Sequence, residues 1–148
     1  MLWTIVGPVG LAPTAVVCLL AATMGDRLER QGAVAVAGGA VFALAMQALF
    51  HRPGPTPALL LGDAGVMCLL IRLTWRTDRF WTVFAVGAQG LVVMLHLIKL
   101  ASPHLPVGPY LRALSLSGLG VLASLGSGAT TAVRARFRRV PPSAETEP

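Results

Sequence analysis

The sequence predicts an all-α integral membrane protein, a bundle of five transmembrane helices with its N-terminus outside the cell and its C-terminus in the cytoplasm. Three observations lead to this prediction. The 148 residues are 55% hydrophobic and only 12% charged, where a soluble domain averages about 25% charged residues. Apolar runs of membrane-spanning length recur along the chain, and the basic residues that flank them are distributed unevenly. The composition excludes a soluble globular enzyme, a disordered tail and a disulfide-stapled secreted module.

The first two spans are separated by a short charged segment. Crossing a hydrocarbon core of about 30 Å takes about 20 apolar residues, and residues 2–24 reach that length before a turn that contains Asp26 and Glu29. This run lacks a basic n-region and is longer than a signal-peptide core, so we expect it to be retained as a span. The second span is 33–50, and the Pro-rich segment 51–57 ends it.

The third span is the least regular of the five. Asp63 interrupts residues 58–75, and the stretch reaches spanning length only if Arg72 extends back to the headgroups. Residues 80–100 form an uninterrupted fourth span, and residues 109–133 form the fifth. Together the spans make up one transmembrane domain.

The charged residues predict the orientation. We expect residues 134–148, which are first basic and then rich in Pro and Glu, to be a disordered cytoplasmic tail. With this tail inside, nine arginines lie on the cytoplasmic side and three cations on the other, a strong positive-inside bias. The nine are Arg27, Arg30, Arg72, Arg76, Arg79, Arg134, Arg136, Arg138 and Arg139, and the three are Arg52, Lys99 and Arg112.

Polar residues within the spans define the candidate site. Asp63, His96 and Arg112 fall at a similar depth in the outer leaflet, and Gln89 and Lys99 share a helical face with His96. Ionisable groups at such depth either pair or mark a functional path. One interpretation is a polar cavity, open to the outside, for an anion or a proton relay. The favoured one is structural: Asp63 neutralises Lys99 or Arg112, and His96 makes a hydrogen bond that fixes helix packing.

Small residues indicate where helices approach closely, because packing inside a bilayer depends on such contacts. The second and fifth spans carry them at four-residue spacing: Ala35, Gly39 and Ala43, then Gly120, Ser124 and Gly128. These stripes fit either intramolecular packing, which is the favoured reading, or a homo-oligomer interface.

Other site chemistries find little support. Haem ligation across a bilayer needs two intramembrane histidines, and only His96 qualifies. The chain has no His, Cys and Asp residues at metal-ligand spacing, and its basic residues sit at span ends instead of forming a nucleic-acid surface. We therefore expect no catalytic residue, no cofactor or metal, and no nucleic-acid partner. The expected partners are the lipid bilayer and a membrane protein or a second copy.

One run of residues over about 58–139 resembles a known pattern. In chain order it comprises Arg76, Arg79, Trp81, Gln89, His96 and Tyr110. It resembles small multi-span inner-membrane proteins of alphaproteobacterial type, which have no established activity, so the resemblance implies no catalytic residue. By their place at span ends, four of these residues are predicted to anchor the bundle at the membrane interface: Arg76, Arg79, Trp81 and Tyr110.

Two functions follow as hypotheses. The first is a non-enzymatic accessory, assembly or scaffold subunit of a bacterial inner (plasma) membrane, packing through its helices. The alternative is a small transporter or an ion- or proton-coupled permease that uses the outer-leaflet Asp, His and Arg residues.

Overall fold

The computed structural model describes the backbone of residues 2–50 and 57–138 and the side chains of 11–49 and 57–135. These residues form five helices and no strand: α1 (Leu2–Met24), α2 (Arg27–Phe50), α3 (Pro57–Thr74), α4 (Phe80–Ala101) and α5 (Val107–Arg138). The Pro-rich segment 51–56 and residues 139–148 of the predicted tail lie outside the described part. The prediction of an all-helical chain with five helices is confirmed.

Two helices are longer than the predicted spans. α2 begins at Arg27 instead of residue 33, and α5 continues to Arg138, so residues 134–138 are helical and are not part of a disordered tail. The physical reason is that hydropathy ends a span at the first charges, whereas Arg, Glu, Gln, Leu and Ala are good helix formers that continue the backbone hydrogen bonds.

The helices pack side by side in chain order, and the last one closes the arrangement. Each helix contacts the next, α5 returns to contact α1, and α2 also contacts α5 across the bundle. Short connections join α1 to α2, α3 to α4 and α4 to α5, which makes these neighbours antiparallel. The result is a closed ring of five helices.

Four of the helices are long and apolar enough to cross a membrane. They cover Arg27–Leu49, Pro57–Thr74, Phe80–Ala101 and Val107–Ala135. In α1, the portion with described side chains is the shorter apolar segment Leu11–Met24.

The fourth helix buries its polar side chains and exposes apolar ones. The buried face of α4 holds its polar residues, together with small and apolar ones: Trp81, Thr82, Ala85, Gln89, Val92, His96 and Lys99. Its exposed face is apolar and includes Phe80, Val83, Phe84, Leu91, Met94 and Ile98. A surface helix of a soluble protein shows the opposite pattern. Polar groups inside and apolar groups outside suit a helix that faces lipid.

The predicted small-residue stripes pack the helices of one chain together. A Cβ added at Gly39 would lie 2.6 Å from Cγ2 of Val66 in α3, and one at Gly120 would lie 3.2 Å from Cβ of Ala88 in α4. The hydroxyl of Ser124 bonds within its own helix, to the carbonyl of Gly120 at 2.8 Å. The contacts of Gly39 and Gly120 give these two stripe positions an intramolecular role.

Candidate functional site

Two groups of polar side chains lie at opposite ends of α4. The Asp63 cluster consists of Asp63 in α3 and of Gln89 and His96 in α4. The Glu29 cluster consists of Asp26 and Glu29 near the start of α2 and of Arg79 just before α4.

The Asp63 cluster joins α3 to α4. Gln89 Nε2 donates to Asp63 Oδ1 at 3.1 Å and lies 3.3 Å from the Asp63 carbonyl oxygen. His96 Nδ1 lies 3.6 Å from Asp63 Oδ2. Gln89 and His96 are buried, whereas the Asp63 side chain is 28% exposed. Since Gln89 and His96 are two helical turns apart on one face, they hold the Asp63 carboxylate between them.

His96 also contacts α5. Its Nδ1 lies 2.9 Å from the carbonyl oxygen of Val92, and its ring meets the Tyr110 ring edge-on with centroids 6.1 Å apart. Because the carbonyl and the Asp63 carboxylate are both acceptors, Nδ1 carries a hydrogen in this geometry. The hydrogen bond of His96 therefore stays within α4, and its ring lies between Asp63 of α3 and Tyr110 of α5.

Lys99 and Arg112 do not join this cluster. The Lys99 ammonium donates to the carbonyl oxygens of Pro103 at 2.8 Å and Leu105 at 2.6 Å, in the turn between α4 and α5. Arg112 is exposed. The structure thus brings three of the five predicted residues together: Asp63 accepts a hydrogen bond from Gln89 and lies 3.6 Å from His96, and it does not pair with Lys99 or Arg112. Backbone carbonyls outside helices need hydrogen-bond partners, and the Lys99 ammonium donates to two of them in this turn.

The Glu29 cluster was not found by sequence reasoning, which used Arg79 as a marker of topology and an interface anchor, and Asp26 and Glu29 only as parts of the turn after the first span. Arg79 donates from Nη1 to Glu29 Oε1 at 2.8 Å and from Nη2 to Asp26 Oδ2 at 3.2 Å. The Glu29 side chain is fully buried, whereas those of Arg79 and Asp26 are 39% and 42% exposed. Within the described part of the chain, Glu29 Oε2 has no hydrogen-bond partner. One arginine therefore fastens the turn between α1 and α2 to the start of α4.

Trp81 occupies a place different from the predicted membrane anchor. Its side chain is buried, and its indole lies against Gly32 of α2 and Gly128 of α5. A Cβ added at Gly128 would lie 2.8 Å from Cδ1 of the indole, so only glycine leaves room for the ring there. The sequence signal was available, because Gly128 belongs to a predicted packing stripe, but nothing local indicated that the stripe would face Trp81.

The other predicted anchors divide in the same way. Tyr110 is buried against His96, and Arg79 is taken up by the Glu29 cluster. Arg76 is exposed, as an anchor requires. The anchor prediction rested on position at a span end, which does not distinguish a side chain that faces lipid from one that faces a neighbouring helix.

The site therefore consists of packed polar contacts inside a bundle of membrane-spanning type. Among residues 2–50 and 57–138, no three His, Cys, Asp or Glu residues are grouped to hold a metal ion. No family model, curated protein or solved structure matches the chain.

Proposed function

We propose that this chain is a multi-pass protein of a bacterial inner (plasma) membrane, with its N-terminus outside and its C-terminus in the cytoplasm. In this proposal α1 is a fifth span. The uneven distribution of arginines supports the orientation, and the apolar exposed face of α4 supports insertion. Its role is that of a non-enzymatic accessory, assembly or scaffold subunit, related in type to the small multi-span proteins that its sequence resembles.

One observation carries the proposed role: the four polar side chains Asp63, Gln89, His96 and Lys99 have their contacts within the bundle. Gln89 donates to Asp63, His96 bonds within α4 and contacts Tyr110, and Lys99 donates to a turn. Such contacts fix helix packing. The turns of the described chain comprise only a few residues each. In the described part of the chain, the surface available for recognition is therefore mainly the lipid-facing one.

Site-specific photo-crosslinking in membranes tests the accessory role. A photoreactive residue at Leu91, which is 59% exposed on α4, is expected to give a discrete protein adduct. The matched control is Ala85 of the same helix, which is 1% exposed and faces the bundle. If exposed positions on all five helices give lipid adducts alone, the protein has no docking partner and the accessory proposal fails.

A second candidate function rests on the partial exposure of Asp63. A carboxylate that is 28% exposed and 3.6 Å from a histidine nitrogen can exchange a proton with solvent, which is the element that an ion- or proton-coupled permease needs. Purified protein in liposomes with a pH gradient tests this candidate. If the protein is an accessory subunit, we expect proton flux into these liposomes to equal the leak rate of liposomes without protein. Flux that Asp63→Asn and His96→Ala abolish, and that Arg112→Gln leaves unchanged, replaces it with the permease.

A further inference from the structure

A groove of about 660 Å³ runs between α2 and α3 on the outside of the bundle. Four glycines line it together with apolar side chains: Gly38 and Gly39 from α2, and Gly62 and Gly65 from α3. Its volume falls within the range of roughly 300–1,000 Å³ that is typical of small-molecule sites.

The lining residues give the groove a defined length. Val66 packs on Gly39, and the Phe42 ring packs on Gly62, so α2 and α3 run in opposite directions beside it. From Arg30 at one end to Phe42 at the other, α2 rises about 18 Å at 1.5 Å per residue. Half of a hydrocarbon core is about 15 Å thick. In an inserted bundle with Arg30 at the membrane surface, the groove would therefore reach about the midplane.

The open end of the groove is basic. Arg30, Arg72 and Arg76 line it, together with Gln31. Arg30 also donates Nε to the Gly25 carbonyl oxygen, whereas Arg72 and Arg76 form no ion pair with any described residue.

The acidic residues closest in sequence to this end do not line the groove. Asp26 and Glu29 are both bound by Arg79, and Asp78 is exposed on the turn that follows Arg76. The mouth of the groove is therefore complementary to an anion.

We propose that the groove holds one phospholipid with an anionic headgroup. The headgroup phosphate accepts hydrogen bonds from the arginines at the mouth, because guanidinium groups bind phosphate well. An acyl chain lies along the glycines and the apolar side chains that line the groove. A helix of a second copy fits less well, because a copy with the same orientation brings its own arginines to the same membrane surface. The proposal depends on membrane insertion and holds for either candidate function.

The first experiment removes the charges at the mouth. Full-length protein is purified from liposomes of equal phosphatidylglycerol and phosphatidylcholine, and the retained lipid is measured by native mass spectrometry. We expect wild type to retain the anionic lipid selectively, and Arg72→Gln with Arg76→Gln to weaken that binding about 25-fold, at about fivefold per arginine. The matched control pairs Arg112→Gln with Arg134→Gln, two exposed arginines that do not line the groove. Equal loss in both double variants overturns the proposal.

The second experiment fills the groove without changing its charge. Gly38 and Gly65 line it, and a Cβ at either position meets no atom within 4 Å, so a leucine side chain there starts in open space and takes up volume in the groove. Gly87 of α4 has the same free space outside the groove and is the control. We expect Gly38→Leu and Gly65→Leu to lose the bound lipid and Gly87→Leu to keep it.

Three results contradict the proposal. Retained lipid in the filled variants shows that the arginines alone act as a surface patch. A dimer that Gly38→Leu or Gly65→Leu dissociates shows that a second copy occupies the groove. Displacement of the lipid by glycerol phosphate as effective as displacement by phosphatidylglycerol shows that the apolar groove adds nothing.

Discussion

The two ends of α4 are held in different ways. At the start of the helix, Arg79 joins two carboxylates, of which that of Glu29 is fully buried. Toward the other end, Gln89 and His96 contact a carboxylate that remains 28% exposed. A buried charge that loses its partner is far more costly than a lost hydrogen bond to a partly exposed group. We therefore expect the Glu29 cluster, at the start of α4, to contribute more to stability than the Asp63 cluster further along the helix.

The largest expected effect comes from Arg79→Leu, which leaves the Glu29 carboxylate buried without its partner. We expect a loss of about 3 kcal/mol in unfolding free energy, at the low end for a broken buried pair because Arg79 is itself partly exposed. Unfolding of the purified protein in detergent measures it. The control, Arg76→Leu, changes an exposed arginine three residues earlier and is expected to cost about 0.5 kcal/mol or less. Similar losses in both variants would show that the Arg79–Glu29 ion pair adds no particular stability to the bundle.

Gly128→Ala tests the packing beside the Glu29 cluster. The added methyl group would lie 2.8 to 2.9 Å from three indole atoms of Trp81, which must shift, and overpacking of this kind costs about 1–3 kcal/mol. In the same helix, Gly118→Ala meets no atom within 4 Å and is expected to be neutral or stabilising by up to about 1 kcal/mol. Thermal unfolding of both variants decides the point. If the two alanines behave alike, the Trp81 contact does not limit stability.

Gln89→Leu addresses the other end of the comparison. It removes the donor that bonds the Asp63 carboxylate, and we expect a cost of about 1 kcal/mol, within the range of hydrogen bonds between membrane helices. A double-mutant cycle with Asp63→Ala, which removes the acceptor, is expected to show a coupling energy of the same size. A loss as large as that of Arg79→Leu would remove the distinction between the two clusters.

Asp26→Asn has the smallest expected effect. Asp26 and Arg79 are both about 40% exposed, so their ion pair is screened and its loss costs about 0.5 kcal/mol, decreasing at high salt. Glu29→Gln is the matched variant, since it alters the buried partner of the same arginine. We expect it to cost more than Asp26→Asn at every salt concentration in detergent unfolding. A larger loss for Asp26→Asn would show that the exposed Arg79–Asp26 pair contributes more to stability than the Arg79–Glu29 pair.

Helical spacing predicted part of the site because it acts within one helix. Gln89 and His96 lie on a common face, and Asp63 interrupts an apolar run at a matching depth, so the residues of the Asp63 cluster were recognisable. The spacing does not show which helix lies opposite. Lys99 or Arg112 was therefore expected to neutralise Asp63, although the Lys99 ammonium reaches the carbonyls of the following turn and Arg112 is exposed.

The Glu29 cluster could not be predicted for a different reason. Glu29 and Arg79 are 50 residues apart, and both adjoin runs of apolar residues, where charges normally reach the headgroups. The burial of Glu29 follows from the turn between α1 and α2 packing near the start of α4. Such a long-range contact leaves no periodic signal in the sequence. Hydropathy identified the five helices, but it did not show that the Glu29 carboxylate is buried between them.

The contact between α5 and α1 has a consequence for assembly in the cell. Helices are synthesised in chain order, and α1 to α4 contact their neighbours in that same order. One flank of α1 and one side of the Trp81 indole stay open until α5 has been synthesised, because α5 supplies Gly128 and the contact with α1. Without α5, the first four helices would form an open row. Packing of α5 against α4 and α1 converts this row into a ring.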